Sequence, residues 1–343
     1  MYLSRMSAIL ILSAVTTVRG RCPSGPSSVN TTSGGFEFTY PWPIQYQELL
    51  TQQQSLCQAY MDVHPDPSIS PIPVGTVVLL HGKNFCGATW ERTARVLLSS
   101  GYRVIIPDHI GFCKSSKPAA YQYSLQQLAL NVHSILSSLN STAPLTVIGH
   151  SLGGMLATRF TLMYLSLVSR LVLVNPIGLE DWKAKGVPYQ STDQIYLGER
   201  ASNYTSIRGY EQSTYYLGTW TPAYDVWVDM LVRIYRGPEA EPYAFDQALI
   251  TDAVYTQPIV YELPLLTKTK VLLLIGAKDT TAIGKAWAPP DVQRILGNYS
   301  VLGKEAASAI GTNATLVEFE DLGHAPQIQA PERFHKALMD WLA

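Results

Sequence analysis

An α/β fold is predicted by this 343-residue sequence: a mostly parallel sheet, helices on both faces, and an inserted helical cap. Three observations carry that reading. Short apolar, β-branched runs alternate with segments of helical spacing, the rhythm of parallel strands and their crossover helices. The rhythm stops between Ile177 and Glu262 and then resumes. The interruption holds eleven of the twenty tyrosines, with Trp182, Trp220 and Trp227. Such an aromatic insertion can close over a pocket, or serve as the small core of a surface subdomain.

In chain order, residues 1–20 read as a secretory signal peptide rather than as fold. They carry Arg5, an apolar stretch from Ala8 to Val15, and Val18 and Gly20 at the spacing of a cleavage site. The apolar run is short for a bilayer span, so no stable membrane segment is expected. Residues 21–35 are a leader rich in serine, threonine and glycine. The first part of the core, 36–176, begins with two antiparallel strands between Phe36 and Val63 that turn near Gln52–Gln54. "TVVLLHG" (76–82) is the next strand, followed by helical spacing from Ala88 to Leu98 and a stop at Gly101. "YRVIIPD" (102–108), "LTVIGH" (145–150) and "RLVLVNP" (170–176) repeat the strand pattern. Between them lie helices from Ser124, an N-cap, to Leu139 and from Leu152 to Leu165. After the cap (177–262), the second part of the core (263–343) supplies "KVLLLIGAKD", a helical segment, "TLVEFED" and a last helix from Pro331 to Leu342.

Composition narrows the partners. A net charge of −1 excludes the broad basic field of a nucleic-acid binder, and 47% hydrophobic residues allow a substantial core. The expected partner is a small molecule; composition does not address the oligomeric state. Five of the eight asparagines, Asn30, Asn140, Asn203, Asn298 and Asn313, stand in N-x-S/T sequons, against about one or two by chance. With the signal peptide, they point to a secreted glycoprotein. The four cysteines, Cys22, Cys57, Cys86 and Cys113, match no zinc spacing, so no metal is expected. Cys86 and Cys113 fall in loops above one sheet edge, either as a bridge or as two buried thiols.

The chemistry centres on "GHSLG", residues 149–153. Between a strand and a helix this pattern forms a sharp turn that lifts the Ser151 hydroxyl above the sheet. A serine hydroxyl is a weak nucleophile and needs a base, which in turn needs a carboxylate to orient it. Both follow in order at later strand ends: Asp279 after "VLLLIGAK" and His324 in "EDLGHAP". Asp321 and Glu320 are fallback acids, and Asn175 occupies another strand end where an acid could stand. An oxyanion needs two donors. The Leu152 amide, at the start of the helix after the turn, is one; the Lys83 amide in "HGKNF" is the other.

With these residues in place, "LLHGKNFCGATWE", "PDHIGFCKSSKP", "GHSLGGMLATRF", "LVLVNPIGLEDW", "IGAKD" and "DLGHAPQIQAPERF" resemble successive landmarks of the capped α/β-hydrolases. The resemblance covers nearly everything from Tyr40 onward. It implies the α/β-hydrolase fold, a serine-nucleophile hydrolase without cofactor, and a cap inserted after Asn175. Epoxide hydrolases and haloalkane dehalogenases carry aspartate where this chain has Ser151. A serine opening an epoxide would leave an ether that water does not readily release.

Three readings follow. The leading one is a secreted serine hydrolase of an ester, lactone or amide in a small apolar substrate, using Ser151, His324 and Asp279. The second is a tailoring enzyme of secondary metabolism, in which His324 and Asp279 perform non-covalent acid-base chemistry such as epoxide opening or cyclisation. The third is a binding protein of low turnover.

Overall fold

The computed structural model describes residues 22–23, 36–141 and 144–343. The expected signal peptide, the leader beyond Cys22 and Pro23, and the Asn30 sequon lie outside the described residues. Eight strands form one sheet: β1 (Gln45–Thr51), β2 (Gln54–Val63), β3 (Thr76–Leu80), β4 (Arg103–Pro107), β5 (Leu145–His150), β6 (Val168–Val174), β7 (Lys270–Gly276) and β8 (Ala314–Phe319). Their spatial order is β1-β2-β4-β3-β5-β6-β7-β8. β1 and β2 pair antiparallel, as do β2 and β4; every pairing from β4 to β8 is parallel. All six residues of β5 are buried, which follows from a parallel strand covered on both faces.

Helices α1 (Glu91–Ser99), α2 (Leu125–Ser138) and α3 (Leu152–Met163) belong to the first part of the core. The α1 helix turns Thr93, Ala94 and Leu97 inward, one stripe of an amphipathic helix. Ser124 caps α2, its hydroxyl accepting from the Gln127 amide at 3.1 Å. Between β6 and β7 come α4 (Thr192–Arg200), α5 (Tyr204–Tyr210), a π turn at Glu211–Tyr215, α6 (Asp225–Arg236) and α7 (Ala240–Thr256). The break in the strand rhythm is thus a helical insertion. Ser191 and Gln194 close a reciprocal capping box at the start of α4. The remaining helices are α8 (Pro290–Ile295), α9 (Tyr299–Ile310), α10 (Pro326–Gln329) and α11 (Pro331–Leu342).

Both cysteine pairs are disulfides. Cys86–Cys113 is the bridge that sequence left open against two buried thiols, and Cys22–Cys57 ties the leader to β2. The Cys86–Cys113 bridge joins the loop after β3 to the loop after β4, so it braces the segment that contains Lys83.

Cross-linking residues 27 apart lowers the entropy of the unfolded chain by about 3–4 kcal/mol at 25 °C. The doubly substituted Cys86→Ala, Cys113→Ala protein is expected to lose roughly 2–4 kcal/mol in urea unfolding in neutral buffer without thiols. A loss below about 1 kcal/mol at unchanged slope would show that the loop is held by packing alone.

Candidate active site

The residues singled out from sequence gather at the C-terminal edge of the parallel strands. The chain leaves β3 for β4 on one side and reaches β5 on the other, with Leu80 opposite Gly149. Where strand order reverses in this way, the loops diverge and open a crevice. Lys83 follows β3 and Ser151 follows β5, at that crevice; Asn175, Asp279 and His324 follow β6, β7 and β8.

Ser151 has φ 56° and ψ −120°, an uncommon conformation for a residue with a side chain. A tight turn imposes it. A β-carbon on Gly149 would lie 2.1 Å from the Gly153 carbonyl oxygen, and one on Gly153 would lie 2.1 Å from that of Leu80. Hydrogen bonds from the Ser151 amide to Val174 O (3.1 Å) and from the Gly154 amide to Ser151 O (2.9 Å) hold the turn. Leu152 opens α3, so its amide lacks an intrahelical acceptor and stands at the positive end of the helix.

His324 and Asp279 are fully buried, and His324 Nδ1 donates to Asp279 Oδ2 at 2.7 Å. The same carboxylate accepts from Asn175 Nδ2 (2.8 Å) and from the Thr281 amide (2.8 Å). Asn175 is fixed in turn by accepting from the Gly276 amide at 2.8 Å. It serves as a clamp on Asp279. Asp321, a fallback acid, is exposed and bonded through both oxygens to Arg333, and Glu320 is exposed as well. With its proton on Nδ1, His324 presents Nε2 as an acceptor. That nitrogen is buried and makes no hydrogen bond among the described residues.

Other histidines support this arrangement. His150 Nε2 donates to the His324 carbonyl at 2.8 Å, and burial, with His324 nearby, holds the His150 pKa well below the ordinary value. His81 donates from Nδ1 to Gly82 O and accepts from the His109 amide; burial lowers the pKa of both rings.

Sequence reasoning did not find Tyr215, at the end of the π turn. Its ring stacks on His324 with centroids 4.8 Å apart, its carbonyl accepts from the His324 amide (3.2 Å), and its hydroxyl accepts from Asn84 Nδ2 (2.9 Å). No periodicity marks it, because the contacts span more than a hundred residues. Beside it, Glu211 is buried with neither carboxylate oxygen hydrogen-bonded among the described residues, and burial pushes its pKa up to about 8.

A cavity of about 250 Å³ lies over Ser151, between Lys83 and Asn84 on the core side and Tyr210, Tyr215 and Tyr235 on the cap side. Aromatic rings form only part of its wall. Lys83 Nζ donates to Glu199 Oε1 at 2.5 Å, and the Tyr235 hydroxyl donates to the other oxygen of Glu199. The wall is therefore more polar than the aromatic content of the insertion implies. Among the described residues, no cluster of His, Cys, Asp or Glu is arranged to hold a metal ion, and no helix is long and apolar enough to cross a membrane.

A glycine-flanked serine at a strand-to-helix turn, with a buried histidine-aspartate pair beside a capped cavity, defines an enzyme of hydrolase type. Residues 75–282 match the family model described as alpha/beta hydrolase fold, and the chain belongs to that family. It is similar to the crystal structure of a probable hydrolytic enzyme from Pseudomonas aeruginosa PAO1. The two are 53% identical with a TM-score of 0.87, over 92% of this chain and 100% of that one. Curated relatives include a cis-3-alkyl-4-alkyloxetan-2-one decarboxylase of Xanthomonas campestris, 33% identical over 44% of this chain. An epoxide hydrolase of Neurospora crassa is 35% identical over 36% of the chain. These matches cover 51% and 37% of the two relatives' own lengths.

The buried groups set the pH dependence of stability. His81, His109 and His150 have lowered pKa values when folded, so the unfolded chain binds more protons and stability falls as pH drops below about 6.5. Glu211 and Asp246, the latter also buried and pushed up to about 8, act in the opposite sense. They remain protonated when folded but ionise when unfolded, so stability is lost as pH rises to about 8, from about 4.5 for Glu211 and from about 3.8 for Asp246, at most about 1.4 kcal/mol per pH unit each. Unfolding measured from pH 5 to pH 9 is expected to give greatest stability near pH 6.5. Glu211→Gln should flatten the alkaline limb; an unchanged limb would show that Glu211 is ionised in the folded protein.

Proposed function

We propose that this α/β-hydrolase is a secreted serine hydrolase that cleaves an ester, lactone or amide bond in a small molecule. The observation carrying the reading is the buried His324–Asp279 hydrogen bond, which leaves Nε2 as a buried acceptor without a hydrogen bond among the described residues, with Ser151 at the cavity. Ser151 Oγ attacks the carbonyl carbon as its proton passes to His324 Nε2. Asp279, clamped by Asn175, stabilises the resulting imidazolium. The tetrahedral oxyanion takes hydrogen bonds from the Leu152 and Lys83 amides. Collapse expels the alcohol or amine, which receives the His324 proton. Water then attacks the acyl carbon, giving its proton to His324 and releasing the acid, and the proton returns to Ser151. Catalytic hydrogen bonds that are open in a free site commonly tighten when substrate binds. The oxetan-2-one in the name of one relative supports a lactone as one electrophile within reach.

A second reading keeps the same histidine and aspartate for non-covalent opening of an epoxide or closure of a ring. It is favoured by the epoxide hydrolase relative and by the tyrosines lining the cavity.

Two features support secretion. All four cysteines are in disulfides, as an oxidising compartment allows, and Asn140 and Asn298 are exposed sequon asparagines. Asn203 and Asn313 instead donate their amide nitrogens to Ala201 O and Thr267 O.

A fluorophosphonate probe is expected to label Ser151, with labelling lost in Ser151→Ala and reduced about a thousandfold or more in rate in His324→Ala. Peptide mass spectrometry locates the adduct. An unlabelled but folded protein would favour the second reading. For secretion, glycopeptide mapping of protein expressed in a eukaryotic host is expected to find glycans on Asn140 and Asn298. Glycan at Asn313 with none at Asn140 would contradict the assignment of sites.

A further inference from the structure

Lys83 and Glu199 line the same cavity as Ser151. The pair is largely shielded from solvent, with side-chain exposures of 9% and 15%, and links the loop after β3 to helix α4 of the cap. An ammonium has three donors, and Glu199 is the one hydrogen-bond partner of Lys83 Nζ among the described residues. The second oxygen of Glu199 is occupied by Tyr235 from α6, which holds the carboxylate in place. The polar patch is therefore rigid, close to neutral overall, and short of acceptors.

We infer that Lys83, held by Glu199 and Tyr235, is the specificity-determining side chain of the cavity, and that it selects substrates carrying a second, uncharged oxygen a few bonds from the scissile carbonyl. The inference rests on the acyl-transfer reading for that carbonyl. Lys83 supplies the geometry. Its amide is the expected oxyanion donor, and its ammonium lies one side-chain length away in the same wall. A plain alkyl chain filling the cavity would displace water from the ammonium and leave donors unpaired, which is costly in a shielded site. A ketone, ether or hydroxyl oxygen accepts those hydrogen bonds. A carboxylate is disfavoured because Glu199 already balances the lysine charge. Sites built to hydrogen-bond an oxygen discriminate strongly against analogues lacking it, whereas apolar walls discriminate weakly between isosteres.

A purely structural latch between cap and core is the competing account. It lowers binding of both members of an isosteric pair alike when broken, whereas a specificity contact changes their ratio. Two pairs place the oxygen on either arm: para-nitrophenyl hexanoate with its 5-oxo counterpart, and pentyl butanoate with 2-ethoxyethyl butanoate. Calorimetry on Ser151→Ala protein measures binding without turnover. The oxygenated member of at least one pair is expected to bind about tenfold tighter or better, and adding Lys83→Met is expected to bring the ratio within about twofold of unity. Lys83→Leu, which likewise removes the ammonium, provides the same test should Lys83→Met fail to fold. Equal binding within both pairs, or a ratio untouched by either substitution, would overturn the inference whatever the turnover. Absence of hydrolysis by the unsubstituted protein, with the oxygen preference intact, would overturn acyl transfer and leave the specificity assignment standing.

Discussion

Backbone contact between the end of β5 and the first turn of α3 is the constraint from which the site is built. Neither Gly149 nor Gly153 has room for a β-carbon, so strand and helix approach more closely than side chains would permit. The chain reverses over Ser151 alone, which takes a positive φ. That conformation is unfavourable in isolation and persists because surrounding hydrogen bonds over-determine it. The start of α3 also lies against the Leu80 carbonyl, which brings the loop after β3 alongside the serine. One tight turn thereby sets the relation between Ser151, the helix terminus and Lys83.

His324 is held by a longer chain of contacts. Gly276, Asn175, Asp279 and His324 are joined by consecutive hydrogen bonds that cross from β7 to β6, back to the loop after β7, and on to the loop after β8. Such a buried network is demanding, because each member left unpaired would carry a desolvation cost. Satisfied, it restricts His324 to one tautomer and orientation. His150 adds a contact to the backbone of His324, and burial keeps the pKa of His150 well below the ordinary value.

Much of this was legible in sequence because it depends on local pattern. Buried parallel strands read as apolar runs, and residues that follow such runs collect at one sheet edge, as Ser151, Asp279 and His324 do. Asn175 was legible by position but not by role. It looked like a place for an acid, and its amide instead donates to Asp279, in the loop after the next strand. Contacts across the fold were not legible. Cys22 pairs with Cys57, Lys83 with Glu199 and Asn84 with Tyr215, and nothing in the local spacing of either partner specifies the other. The aromatic insertion suggested an apolar pocket because aromatic residues were conspicuous, while one ion pair among ordinary surface charges was not.

The π turn at Glu211–Tyr215 divides the cap into two parts with different freedom to change. Its last residue is bonded to the His324 backbone and stacked on the imidazole, so substitutions or movements there are transmitted to His324. Helices α4 and α5 reach the cavity through Glu199, Ile207 and Tyr210 without that attachment to the histidine loop. Variation can accumulate on α4 and α5 and alter which molecules fit, while the segment beside His324 stays constrained by the chemistry. A single insertion thus contains both cavity-lining helices free of the histidine loop and a turn tied to it.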